Sequence, residues 1–566
     1  MRASPPPLEA RCAVSLRCAV APCSPWPDAS AAAPAAPEAA PAAASASESQ
    51  HAQARRIEAD VRFLADDLLE GRETGTRGYD LAALYVAQRL RAMGVEPGGE
   101  DGGYFQTVPL LRAQRIDGGG TFRIERALGT VELRFREDYL PLPDFASGQA
   151  EVTAPAAFVG QAVYAPELEQ DDFAGIDLRG KIAVFFNGAP ARFDRDRRAF
   201  YSSTREKLAA VAQRGAVGAV MVSTDEEEKR YPWQRSARQW DKPGMRLRGA
   251  DGGALDTFPQ LRVVAQVAAA RAGAVLDAGD RSAAELFRQA RSGRLRGYDL
   301  PGTLSLAVRN RLEPARSRNV VGRLPGREPA LADEHVVFTA HLDHLGIGAP
   351  VGGDAIYNGA LDNALGVAVM LEAARQLQRG AAPRKRSLLF VALTGEEKGL
   401  LGAHWFAGHP TPAGAALVAN VNMDMPVLLA PTSDAIAIGV EHSTLQAVLQ
   451  RAAAQTGVAL SADPMPEESI FIRSDQYAFI RRGVPAVYLI GGLSGSEAAR
   501  GQLGAFLRGD YHQPGDDASQ PIQYADAARL ARLNARIGEA IAGEDARPAW
   551  NRGDFFGETF GAAAKP

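Results

Sequence analysis

An α/β fold, a mostly parallel sheet flanked by helices, is what the sequence predicts for the larger part of this chain. Three observations predict it. After Pro301, buried-type runs such as EHVVFTA, SLLFVAL and VPAVYLIGG alternate with helical patterns such as LGVAVMLEAARQLQRG. Strands alternating with helices build parallel sheets, because each crossover helix packs back onto a sheet face. Second, polar residues gather where each of these strands ends, the edge at which open α/β sheets bind ligands. Third, between about 140 and 300 the pattern changes to short strands separated by polar loops, so an inserted, mainly β module interrupts the larger domain.

The elements follow in order. Within residues 1–50, Arg2 and Arg11 precede or begin the stretch around CAVSLRCAVAPC, but Arg17 interrupts that segment and Pro22 ends it. It falls short of a proper apolar signal core. The Ala/Pro-rich ASAAAPAAPEAAPAAASASES that follows reads as a disordered tether, and an exported (periplasmic or extracellular) protein behind a degraded signal is the expectation. Residues 51–139 open the larger domain. ARRIEADVRFLADDLLEG places Ile57, Val61, Leu64 and Leu68 three and four apart, and RGYDLAALYVAQRLRAMGV is a second amphipathic helix that stops at Gly94. YFQTVPLLRAQRI then reads as strand. Residues 140–300 form the insert, with AAFVGQAVYA, GKIAVFF and AVGAVMVS as its strands. Residues 301–545 complete the larger domain, and 546–566 are a tail that mixes aromatics with glycine.

Bulk composition narrows the chemistry. Lys plus Arg number 63 against 67 Asp plus Glu, a near balance that gives no electrostatic basis for binding nucleic acid or an anionic membrane surface. No run approaches the ~18 apolar residues of a membrane span. All three cysteines lie at Cys12, Cys18 and Cys23, so the folded body has no thiolate to act as nucleophile or metal ligand. Any metal there is held by His, Asp and Glu. Seven of the eight histidines fall between 335 and 512, which assigns imidazole chemistry to the C-terminal part. Neither a G-x-S-x-G elbow nor an H-E-x-x-H helix is present.

The residues at the strand ends are His341 after EHVVFTA, Glu396 and Glu397 after SLLFVAL, and Asp424 after AALVANVNM. His512 sits in the late loop DYHQPGDD, and Asp362 in NGALDNALG lies just before a helix. Each has an ordinary reading alone: a hydrogen-bonded strand-end histidine, a helix N-terminal aspartate, a turn cap, a loop residue. Together, two imidazoles and several carboxylates on one sheet edge suit zinc, which takes His nitrogen and carboxylate oxygen. Two zinc ions ~3.5–4 Å apart need a shared carboxylate to offset their repulsion, and Asp362, flanked by small residues, can approach both.

The set HLDHLG, NGALDNALGVAVMLEAAR, LLFVALTGEEKGLLGAHWFA, NVNMDM, RSDQYAF with GVPAVYL, and YHQPGDD resembles the co-catalytic zinc aminopeptidases, relatives of glutamate carboxypeptidase and the transferrin receptor. FLADDLLEGRETGTRGYDLAALYVAQRL is similar to the N-terminal helices of that family, and VYAPELEQDDFAGIDLRGKIAVF to its protease-associated insert. The resemblance implies a zinc-exopeptidase fold, two Zn2+ per chain, and peptide substrates with a free N-terminus. His341 and Asp424 would hold one ion and Glu397 and His512 the other, with Asp362 between them. Glu396 would be the general base for the metal-bridging water, and the Asp343 carboxylate would accept the His341 N–H and fix its tautomer. Adjacent side chains point in different directions, so of the pair Glu396–Glu397 one can bind metal while the other moves protons. A carboxypeptidase or other amide hydrolase on the same scaffold is the enzymatic alternative, and a non-catalytic receptor-like binding protein the alternative of another class.

The resemblance has two departures. Ser474-Asp475 continues with Gln476 where the family usually has His, and Phe471 stands where some relatives have a hydrogen-bonding Tyr. Arg473 reads equally as a substrate contact and as a solvated surface residue. The insert reads as a lid over the site in preference to a passive spacer, on resemblance alone.

Overall fold

The computed structural model describes residues 42–561, apart from 280, 381, 467, 468, 494 and 495. The signal-like segment, its three cysteines and most of the tether lie outside the described residues. The first helix runs Ala42–Leu64, starting 15 residues before Ile57, where the apolar periodicity begins. Alanine carries the highest intrinsic helix propensity, and AAASASESQ extends the helix without an apolar stripe.

Four strands form the parallel centre of the main sheet, side by side in the order Ser387–Leu393, Glu334–His341, Ala416–Asn422, Ala486–Gly491. Antiparallel strands flank this centre on both sides: Asp434–Ile438 beside Ala486–Gly491, and Val320–Leu324 beside Ser387–Leu393. Every residue of Ser387–Leu393 is buried, as its unbroken apolar sequence predicts for a strand covered on both faces. The two-residue alternation sorts the side chains. Leu388, Phe390 and Ala392 join Val336, Phe338 and Ala340 against the helices Leu365–Arg379, Tyr524–Gly543 and Arg77–Ala92. Leu389, Val391 and Leu393 pack the other way, against Ala403 and Phe406 of Leu401–Gly408 and Ala478 and Phe479 of Gln476–Ile480. All four parallel strands point the same way, so their carboxyl ends fall on one edge.

One strand of 27 residues, Tyr298–Leu324, belongs to two sheets. Its second half pairs with Phe105–Arg115 and reaches the main sheet. Its first half pairs with Gln149–Phe158 and Thr121–Arg126 in a second sheet, which continues through Ile182–Phe186, Gly218–Val222 and Val264–Val267 in parallel. Phe158, Val184, Phe186 and Val220 give that sheet its own core. The 140–300 segment is less purely β than its sequence suggests, because helices such as Arg195–Ser202, Thr204–Gln213 and Ala283–Ser292 flank these strands. One of them, Arg195–Ser202, begins in the polar stretch ARFDRDRRAF, where the Asp194 carboxylate accepts from the amides of Asp196 and Arg197 and caps it. Gly244–Leu247 leaves the second sheet's neighbourhood and pairs with Phe105–Arg115. Among the described residues no helix is long and apolar enough to cross a membrane.

Candidate metal centre

His341 ends the strand Glu334–His341, and its Nε2 lies 3.0 Å from Asp424 Oδ1 and 3.2 Å from Asp362 Oδ1. On the far side of Asp362, Oδ2 lies 3.1 Å from His512 Nε2, which is 3.3 Å from Glu397 Oε2. Asp362 thus turns one oxygen to each group. The fold brings His341, Asp362, Glu397, Asp424 and His512 together from a separation of up to 171 positions in sequence, 341 to 512. Tetrahedral zinc with donors at about 2.0–2.1 Å sets neighbouring donor atoms about 3.3 Å apart, so this donor set and its spacing fit zinc. His341 and Asp362 are buried, whereas the His512 side chain is 32% exposed and marks the open side of the centre.

The charges hold each other in unusual states. Burial opposes charge on His341 and His512, but Asp424 beside the first and Glu397 beside the second hold both imidazoles well above their usual range. Burial pushes the Glu397 carboxyl up, yet His512 and the contact with His344 bring it well below the usual carboxylate range. Asp362 is likewise pulled down against its burial by His341 and His512. A cation bound here would replace imidazolium protons, so metal uptake and proton release are linked. Glu396 keeps part of its surface open yet sits deep among these groups. Burial pushes its carboxyl well above the usual range, and Glu397, Asp424 and Asp475 add to the effect.

Asp343 is where the geometry departs from expectation. The His341 Nδ1 meets the backbone carbonyl of Asp343 at 3.1 Å, not its carboxylate. The carboxylate accepts instead from Thr74 Oγ1 at 2.9 Å and from the amides of Glu396 at 3.2 Å and Glu397 at 3.4 Å. A strand-end loop is short, and the side chain of a residue two positions on points past the ring toward the neighbouring strand's end. Asp343 therefore orients the glutamate pair, while the peptide carbonyl orients the imidazole.

Residues that the sequence reading did not single out hold the centre in place. Arg72, fully buried, donates to the carbonyls of Leu342 and Gly359 at 2.9 Å each, and to those of Asn358 and Leu64. It fastens the chain on both sides of the donors to the N-terminal segment, and burial brings its guanidinium down to about 10. Asp516 accepts from the amides of Leu361 at 2.8 Å and Asp362 at 3.0 Å. Asn363 donates to Met423 O at 2.9 Å and accepts from Met425 N at 3.1 Å, tying the Asp362 turn to the Asp424 segment. Gly359 has a left-handed φ of 62°, and a Cβ there would meet Asp362 O at 2.2 Å and His344 Cγ at 2.6 Å. Arg72 lies in EGRETGT and Asp516 in QPGDD, polar stretches inside quoted motifs; their roles become visible only once distant backbone is in contact.

The two departures have local explanations. Phe471 is buried and stacks on His442 with ring centroids 4.5 Å apart. Gln476 is buried with both ends used: Oε1 accepts from Asn422 at 2.7 Å and Nε2 donates to the carbonyls of Ile470 and Phe471. Arg473 donates to the Tyr231 hydroxyl at 3.3 Å, a contact between the wall of the site and the 140–300 segment. Beside it lies a cavity of about 590 Å³, lined by Ser202, Glu226, Tyr231, Ile472, Arg473 and Tyr477 and by none of the candidate metal ligands.

Comparison with known proteins places this arrangement. Two proteins named as probable zinc metalloproteases, from Pyrenophora teres f. teres (strain 0-1) and Pyrenophora tritici-repentis (strain Pt-1C-BFP), are 36% and 35% identical over 112 residues, 20% of this chain. The chain spans about a quarter of the length of these curated relatives, 23% and 25%. An aminopeptidase from Aneurinibacillus sp. strain AM-1 superposes with a TM-score of 0.51 at 19% identity, over 86% of this chain and 93% of that one, a likeness of fold. The model of Peptidase family M28 matches residues 319–537, a span that holds every candidate donor from His341 to His512. Over those residues the chain is similar to peptidase family M28.

Proposed function

We propose that the protein is a two-zinc aminopeptidase that removes the N-terminal residue from peptides. The observation that carries this is Asp362, whose two oxygens face separate donor groups, His341 with Asp424 on one side and His512 with Glu397 on the other. Zinc, when bound, supplies a Lewis acid for the scissile carbonyl and a water of lowered pKa. Glu396 takes the proton from the attacking water and returns it to the departing amine. Its neighbours Glu397 and Asp424 disfavour its ionised form, which raises its basicity toward that role. Asp343 fixes the Glu396 backbone by accepting its amide at 3.2 Å.

Reading the amine end of a peptide rests on the resemblance to the zinc aminopeptidases. Asp475, fully buried, has both carboxylate oxygens without a hydrogen-bond partner among the described residues, and burial together with Asp424 pushes its carboxyl well above the usual range. The test is release of an aromatic amine from a leucyl anilide by metal-stripped protein with zinc titrated back, against the N-acetylated anilide. Activity that returns as the second zinc binds, and only on the free amine, is the expected result. Cleavage of the acetylated substrate, or zinc binding with turnover of neither, overturns the aminopeptidase reading.

A further inference from the structure

HLDHLG contains a second histidine, three residues after His341, to which the motif reading gave no role. His344 is fully buried, and neither ring nitrogen makes a hydrogen bond among the described residues. Unpartnered buried imidazole nitrogens are costly and call for a ligand. Its Nδ1 lies 2.8 Å from Glu397 Oε1 and 3.9 Å from Asp362 Oδ2. The closer approach lacks hydrogen-bond alignment, and Glu397 Oε1 is itself without a hydrogen-bond partner among the described residues. His512 approaches the same two carboxylates from another side, its ring 5.7 Å from that of His344 and at 68° to it. The ring's seat is built for it, since any side chain at position 359 would collide with it.

We propose that His344 Nδ1 is a metal donor, completing the position formed by Glu397, His512 and the shared Asp362. Its contacts of 2.8 and 3.9 Å bracket the ~3.3 Å separation of neighbouring zinc donors. The two positions are then unlike. The one beside His341 has a single imidazole and two carboxylates, and the other has two imidazoles. The nitrogen-richer position binds zinc or cobalt more tightly and releases it last, because these ions favour imidazole over added carboxylate. This inference rests on the two-zinc reading and goes beyond its ligand set.

Cobalt(II) tests it directly. Full-length metal-stripped protein is loaded with Co2+, the bound metal is counted, and the exchangeable imidazole N–H protons shifted by the paramagnetic ion are counted by 1H NMR. Three such signals are expected for the wild type, from His341, His344 and His512, and two for His344→Gln. His344→Gln is also expected to lose at least a hundredfold in affinity at one position, by chelator competition. His344→Asn, whose amide oxygen falls near the Nδ1 position, is expected to recover part of it. Wild type with two cobalt ions and only two signals overturns the assignment of His344 alone, with no variant needed. Wild type that holds fewer than two ions overturns the two-metal reading, and the assignment with it.

Discussion

Glu396 and Lys207 are the two residues whose single replacement tells most. Glu396 is the general base in the proposed mechanism and donates nothing to the metal positions. Glu396→Gln keeps the size and the backbone contact to Asp343 but removes proton transfer. Turnover of the leucyl anilide is expected to fall by about 10²–10⁴ with bound zinc unchanged, measured by steady-state kinetics beside metal analysis. Lys207 lies in the 140–300 segment, fully buried, with its Nζ on the carbonyls of Gln161 and Gly188. Burial lowers it to about 7, against 10.5 when unfolded. A group whose folded value is depressed contributes stability that is present above the unfolded value and lost as pH falls through the folded one. The wild type should therefore gain stability between about pH 7 and 10.5, by roughly 5 kcal/mol at most. Urea midpoints across that range are expected to rise in the wild type and stay flatter in Lys207→Met.

At the scale of elements, the C-terminal helix Phe555–Phe560 is a strap between two parts of the molecule. Phe555 and Phe560 meet Phe200 of the 140–300 segment, with centroids 5.5 and 6.2 Å apart. Phe556, fully buried, meets Phe471 at 5.3 Å and His442 at 5.4 Å beside the wall of the site. An ion pair between Arg195 and Glu441 reinforces the same junction. The described part of the tail, residues 546–561, is therefore docked, and Phe471 packs among aromatic neighbours there. Phe556→Ala is expected to cost about 3–5 kcal/mol and to raise hydrogen exchange in Arg195–Ser202 as well as in the tail. Unchanged exchange in that helix would show that the strap holds nothing beyond itself.

For the whole molecule, the centre is a fastening point as well as a site. Its donors and their supports come from Arg72 and Thr74, the ends of three parallel strands, the Asp362 turn and the late loop of His512 and Asp516. Ions that bind only the folded chain stabilise it by mass action, about 4 kcal/mol at a thousandfold excess over the dissociation constant. Chelation is expected to lower the thermal midpoint by several degrees and zinc to restore it, as followed by differential scanning fluorimetry. Calcium, a hard ion that prefers six to eight oxygens, is expected to restore much less.

The sequence by itself placed the four parallel strands after Pro301 and the helix between the first two of them. Unbroken apolar runs such as SLLFVAL can only be buried on both faces, and LGVAVMLEAARQLQRG has helical periodicity. It also brought His341, Glu396, Glu397 and Asp424 together, because strand ends in a parallel sheet share one edge, and added Asp362 and His512 from nearby loops; the resemblance to the zinc aminopeptidases singled out the five metal ligands among them. Only the tertiary structure decided what surrounds them. Arg72 meets Leu342 across 270 positions and Asp516 meets Asp362 across 154, contacts that local pattern cannot encode. The carboxylate of Asp343 turned to the glutamate amides, and His344 turned to Glu397, because side-chain direction in a loop depends on which backbone lies opposite. Periodicity reports which face of an element is apolar; it carries no information about which distant polar atom that element will meet.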